Sequence, residues 1–125
     1  MKALEPIVSY QSILYQKSFG FSTRIVKLFK YLLNKDRSYE PIYKQLLRSG
    51  TSIGANISEA QSAPTKKDFI NKLSISLKEA RESEYWIRLL KETEILNQQE
   101  HDSLINDCDE LERLLTSSIK TARGN

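Results

Sequence analysis

His101 and Cys108 are the only histidine and the only cysteine of this chain, and they bound the chemistry it can perform. One imidazole and one thiol cannot make the four-ligand nitrogen and sulfur shell of a structural zinc site. No Glu-x-x-His pair occurs, which a helical bundle needs to hold two iron or manganese ions. The phosphate-cradling loop of a nucleotide-binding protein is missing too. His101 stands between Glu100 and Asp102, so it reads as a solvated residue of an acidic helix start and not as a general base. Cys108 shares a three- and four-residue spacing with Leu104 and Leu111, the pattern of a buried small hydrophobe. The sequence therefore predicts no catalytic residue, no metal ligand and no cofactor.

A second constellation suits binding. Lys17, Arg24, Lys27, Tyr31 and Lys35 fall within about 80° of arc when wound at helical pitch. Cations on one helix face, with an aromatic among them, suit the phosphates and bases of RNA or DNA. No base-reading motif accompanies them, so such binding would be weakly sequence-specific. The first fifty residues hold nine Lys/Arg against three acids, while the whole chain is only +3. That asymmetry fits an anionic partner, and equally a basic helix lying beside acidic ones.

The third constellation is small and polar. Gly50 and Gly54 lie four apart inside a helical pattern, where the pair costs about 2 kcal/mol relative to alanine. They strip bulk from one face, for packing within the bundle, for a subunit contact or for a backbone-lined ligand site. Gln45, Ser49, Ser52, Asn56 and Glu59 line the next face, with Arg48 at its edge. Uncharged polar residues there predict a partly buried, hydrogen-bonded seam. Glu84, near the apolar stripe of the following helix, needs a cation such as Arg48, because a lone buried carboxylate is costly.

Four helices must position these groups. The apolar stripe Leu14, Ser18, Phe21, Ile25, Leu28, Leu32 predicts a first helix over about 10–36. Ser22, Val26, Phe29 and Leu33 widen its apolar arc to roughly 160°, more than one bundle seam uses. Pro41, suited to a first helical turn, opens a second helix over 41–62 with Ile42, Leu46, Gly50, Ile53, Ile57 and Ala60 inward. Thr65 and Asp68 make an acidic variant of the capping box for a third helix over 65–94. Its stripe is Phe69, Leu73, Ser76, Ala80, Ser83, Ile87 and Leu90. A break near Asn97 precedes a fourth helix over 98–123, striped by Leu104, Cys108, Leu111, Leu115, Ser118 and Ala122. Short connections predict an all-α, antiparallel up-down-up-down four-helix bundle filling residues 1–125 as a single domain.

Residues 46–60, Leu-Leu-Arg-Ser-Gly-Thr-Ser-Ile-Gly-Ala-Asn-Ile-Ser-Glu-Ala, resemble the signature of the 23S rRNA intervening-sequence proteins. The likeness continues through Lys67-Asp68-Phe69, Leu77 to Glu82, Tyr85-Trp86, and the ending Leu114 to Lys120. Arg48, Ser49, Gly50, Ser52, Gly54, Asn56 and Glu59 fall within this stretch, and together with Glu84 of the third helix they are read as structural motif positions. The resemblance implies a four-helix bundle assembled as a homopentamer, without implying a settled activity. A related bundle family, the accessory variability determinants of diversity-generating retroelements, forms basic pentamers that bind nucleic acid. The HEPN nucleases are of similar size, but their Arg-x(4–6)-His motif is absent, since no Arg precedes His101 at that spacing.

Ile75, Trp86 and Leu89 sit opposite the core stripe of the third helix and would face water in a lone bundle. Tryptophan there predicts burial between subunits, and so self-association. The alternatives that remain are a nucleic-acid-binding oligomer and an adaptor or scaffold that grips a partner protein. At 125 residues and 28% charged, the chain can bury a core without disulfides. No apolar run is long enough to span a membrane, and Met1 to Pro6 lacks the apolar segment of a signal peptide. A cytoplasmic protein is expected.

Overall fold

The computed structural model describes the backbone of residues 5–124 and the side chains of residues 13–124. Readings that fall on residues 1–4 and 125 lie outside the described residues. The fold is an all-α, antiparallel four-helix bundle: α1 (Glu5–Lys35), α2 (Glu40–Ala60), α3 (Lys66–Glu92) and α4 (Gln98–Arg123). α1 starts five residues earlier than the apolar stripe indicates. Pro6 is compatible with that start, since its missing N–H costs nothing in a first turn. Between α1 and α2 lies a 3-10 turn, Arg37–Tyr39, whose Ser38 N–H donates to the Asp36 carboxylate at 2.9 Å. Hydrogen bonds from Ser38 lower the Asp36 pKa, its side chain first and this backbone N–H second.

The helix ends follow local chemistry. Thr65 Oγ1 accepts the Asp68 N–H at 3.1 Å, the predicted cap. Asn97 and Glu100 form a full reciprocal capping box, with both hydrogen bonds at 2.8 Å. α3 stops two residues short of the expected boundary because the chain reverses through Glu94, which holds φ at +65°. The Ile95 N–H returns to the Leu90 carbonyl at 2.9 Å and the Glu94 N–H to Lys91 at 3.0 Å. That pair of bonds is a Schellman ending, in which glycine is the usual residue at the left-handed position.

Each helix packs on its neighbours in chain order, and α4 returns to α1 along the thinnest seam. The core takes Leu14, Phe21, Ile25 and Leu32 from α1, Leu46, Ile53 and Ile57 from α2, Leu73, Ile87 and Leu90 from α3, and Leu104, Leu111 and Leu115 from α4. On α2 Tyr43 is buried and Ile42 only half-buried, one residue away from the predicted line. Near the end of α4, Ile119 is buried where Ala122 had been expected.

α2 is held close on both sides. A Cβ at Gly50 would stand 3.0 Å from Ile25 Cγ1, and one at Gly54 would stand 3.3 Å from the Ser18 carbonyl oxygen. The glycines thus let the α1 backbone approach, as the intrabundle alternative had it. On the other side Ser76 Oγ donates to the Ile53 carbonyl at 2.8 Å, and Ser83 Oγ to Ser49 Oγ at 2.9 Å. These hydroxyls are buried, and each finds a partner across the seam, so their burial carries little penalty.

The glycines at α1 and α2 therefore differ in what a side chain would do. A Cβ at Gly20 meets nothing within 4 Å. Gly20→Ala should raise stability by about 1 kcal/mol through helix propensity, and Glu94→Gly by a similar amount, about 1 kcal/mol, through relief of the left-handed backbone. Gly54→Leu should instead cost about 3 kcal/mol or more by overpacking. Chemical denaturation of the three variants checks all three signs.

Candidate interaction surfaces

The basic face predicted on α1 is built as expected, but its cations divide into two groups. Lys17 Nζ lies 3.1 Å from Glu110, and Arg24 reaches Asp107 at 2.8 Å and Ser103 Oγ at 2.7 Å. These contacts lace the thin α1–α4 seam. Lys27 and Lys35 are exposed and have no carboxylate within ion-pair reach among the described residues. Lys35 Nζ stands 5.8 Å from the centre of the Tyr31 ring, within cation–π range. The basic first half of the chain is thus partly matched by acids of the last helix.

The polar face of α2 is less of a seam than its composition suggests. Ser52 and Asn56 bond back to their own helix, at 2.7 Å to the Arg48 carbonyl and 2.8 Å to the Ser52 carbonyl. Glu59 is exposed and pairs with Lys72 at 3.0 Å. Of these residues only Ser49 joins the buried hydroxyl contacts between α2 and α3. Arg48 does not neutralise Glu84. It bridges Glu79, at 2.9 Å, and Glu82 on α3. α2's polar edge and Glu84 lie on different flanks of α3, which helical pitch places apart. The Glu82 carboxyl is held below its usual pKa first by the Trp86 Nε1–H, which donates at 3.0 Å, and then by Arg48, against the opposing cost of burial.

Trp86 is therefore tethered. It is half-buried, packed against the core, and makes an edge contact with Tyr85 at 4.9 Å. Leu89 is also half-buried, and Ile75 is 36% exposed. More open side chains lie elsewhere: Phe19 and Tyr85 are each 59% exposed, Tyr31 55%, Tyr39 52%, Ile13 45% and Val26 41%. Phe19 and Val26 continue the wide apolar arc of α1. That width was the sequence signal for them.

One cluster was not foreseen. Glu84, Asp109 and Glu112 bring carboxylate oxygens within 4.8 Å of one another across the α3–α4 seam. Glu84 has Arg88 at 3.8 Å, while Glu112 Oε2 is buried without a hydrogen-bond partner. Burial, then the hydrogen bond and charge of Glu84, push the Glu112 pKa up to about 8, with Asp109 adding to the rise and Arg81 opposing it. Glu112 therefore carries a proton near neutrality. The same acids, after burial, push the Cys108 thiol up, so it stays protonated and inert. His101 is less solvated than expected: its side chain is 17% exposed and Nδ1 lies 2.8 Å from Asp102. Two open concavities, of about 540 and 440 Å³, lie near opposite ends of the bundle, and neither lining includes a histidine or a cysteine.

The family described as 23S rRNA-intervening sequence protein matches residues 10–117. A crystal structure of a protein of unknown function from the S23 ribosomal protein family of Bacteroides thetaiotaomicron is 49% identical and superimposes with a TM-score of 0.86. The match covers 89% of this chain and 98% of that one. No curated protein matches the chain significantly.

The Glu112 pKa has a measurable consequence. Between its ordinary value of 4.5 and about 8, the unfolded chain releases a proton that the folded chain keeps. Stability attributable to this group falls as pH rises across that window and levels off above it. Glu112→Gln should flatten that slope and stabilise the fold at pH 8 by about 1 kcal/mol, allowing for solvent screening. Denaturation curves at pH 5 and pH 8 check it, and an equal effect at both values would contradict the assignment.

Proposed function

The chain belongs to the 23S rRNA-intervening sequence protein family, and on that premise we propose that it acts without catalysis, as a self-associating helical bundle that holds RNA or DNA through a basic surface. The observation that carries this reading is the placement of exposed apolar side chains on α1 and α3. The backbones of these two helices do not approach one another closely, and Phe19 and Val26 are exposed on one while Ile75 and Tyr85 are exposed on the other. Two different sticky faces favour head-to-tail association, which closes into a ring where the rotation permits. Five copies is the number that the family resemblance supports. Trp86 and Leu89 flank the α3 face at half-burial and would complete their burial in such a contact.

Uncommitted cations support the nucleic-acid part. Lys27 and Lys35 remain available beside Tyr31, while Lys17 and Arg24 are shared with α4. A ring multiplies whatever phosphate contacts one chain makes, and those contacts sum. No helix among the described residues is long and apolar enough to cross a membrane, and the cytoplasm is the compartment we propose.

Light scattering after chromatography, read together with the 260/280 nm absorbance ratio, tests both halves. The expected mass is several times 14.4 kDa, five times on the family reading, with nucleic acid retained at low salt. Phe19→Asp with Val26→Asp should reduce the mass to that of a single chain while leaving helicity intact. A single-chain mass for the unaltered protein would remove the self-association. Failure to bind any RNA or DNA at low salt, with one partner protein co-purifying in stoichiometric amount, would replace the nucleic-acid reading with an adaptor.

A further inference from the structure

The folded chain sorts its charge along the bundle axis in a way that the two halves of the sequence do not show. α1's basic residues Lys17 and Arg24 lie against α4's acids Glu110 and Asp107 at mid-bundle. The last acid of α4 is Glu112, and beyond it the helix carries Arg113, Lys120 and Arg123. Antiparallel packing sets that ending beside the start of α3, which opens with Lys66 and Lys67. Lys66, Lys67, Lys120 and Arg123 are all exposed, and no carboxylate lies within ion-pair reach of any of them among the described residues. The neighbouring acids are occupied: Asp68 accepts from Thr65 Oγ1 at 2.8 Å, and Glu59 holds Lys72 at 3.0 Å.

Helix physics accounts for only half of this patch. Lys120 and Arg123 complement the negative end of the α4 dipole. Lys66 and Lys67 stand in the first turn of α3, where the dipole opposes positive charge. The helix field therefore does not account for these two lysines. Axial spacing fits a polyanion. Measured from the contact of Glu84 with Asp109 and Glu112, at 1.5 Å per residue, Lys66 lies about 27 Å along α3 and Arg123 about 16–21 Å along α4 in the same direction. Lys120 lies about 12–17 Å along α4 by the same measure, so the patch spans roughly 10–15 Å along the axis, a length that a few consecutive phosphates cover. Among the described residues, no exposed large hydrophobic lies at these two helix ends. A lipid surface, which binds amphipathic groups through apolar insertion as well as charge, is therefore the poorer fit.

We infer that the end of the bundle carrying Lys66, Lys67, Lys120 and Arg123 is the surface that contacts the phosphate backbone of a nucleic acid. The inference rests on the nucleic-acid reading above and moves its main contact from the α1 face to the junction of α3 and α4. The test is fluorescence anisotropy of the full chain with a labelled single-stranded RNA, titrated across salt. One variant replaces Lys66, Lys67, Lys120 and Arg123 with Gln, and a comparison variant carries Lys27→Gln and Lys35→Gln. The first should lose about tenfold or more in affinity at low salt, and its log–log salt slope should shrink by about three, roughly 0.7 for each of four contacts. The second should change by less than about threefold, as expected for fewer, peripheral contacts.

The reverse ranking overturns the inference and leaves the nucleic-acid reading standing. Binding of neither the RNA nor a single-stranded DNA of the same length by the unaltered chain overturns both, and binding to phosphatidylserine vesicles in its place identifies a membrane surface. Lys66→Gln with Lys67→Gln should leave Tm unchanged or raise it. A clear fall in Tm would show that these lysines serve the fold, and would also overturn the inference.

Discussion

The close approach of α2 to its two neighbours is the constraint on which the rest of the structure depends. Gly50 and Gly54 bring α1 in until Ile25 and Ser18 fill the space a methyl group would take. Ser49, Ser76 and Ser83 bring α3 in from the other side and satisfy one another or the backbone as they do so. Helices packed through small residues have little freedom to rotate or slide, because larger side chains immediately above and below would collide. The register of three of the four helices follows from this one element. α4 is then placed by ordinary leucine packing against α3, and its edge with α1 is left thin.

That thin edge explains how the charges are distributed. With little apolar contact between α1 and α4, the two are joined by ion pairs at the rim, Lys17 with Glu110 and Arg24 with Asp107. Exposed pairs of this kind contribute little stability, about 1 kcal/mol or less each, but they consume basic groups of α1 that would otherwise face outward. Among the described residues, unmatched positive charge remains on Lys27 and Lys35 of α1 and on Lys66, Lys67, Lys120 and Arg123 where α3 begins and α4 ends. The acidic side of α4, turned towards α3, produces the opposite situation, with Glu84, Asp109 and Glu112 crowded enough that one holds its proton.

Most of the architecture was legible in the sequence because it is written in periodicity. Apart from Leu28, Phe69 and Ala122, which are half-buried, the stripes of α1, α3 and α4 fall on the observed core, and Thr65 caps α3 as its spacing with Asp68 predicts. What periodicity could not reveal is which flanks meet. The pairing of Arg48 with Glu79 and Glu82, instead of Glu84, depends on the rotation of α3 against α2. The carboxylate trio and the partners of Lys17 and Arg24 depend likewise on contacts between residues far apart in the chain. Trp86 was legible as a surface residue, but not its tether to Glu82, which joins residues one helical turn apart and turns the ring along the bundle. The reversal at Glu94 carried no glycine to announce it.

Cys108 shows what such a core does to reactivity. Its sulfur has no exposure to solvent, and neighbouring carboxylates oppose formation of a thiolate. Alkylating and oxidising agents need both access and the ionised form, so the native bundle denies them twice over. Any adduct found on this sulfur would record a molecule that had opened, making the lone thiol an internal tally of excursions from the packed state.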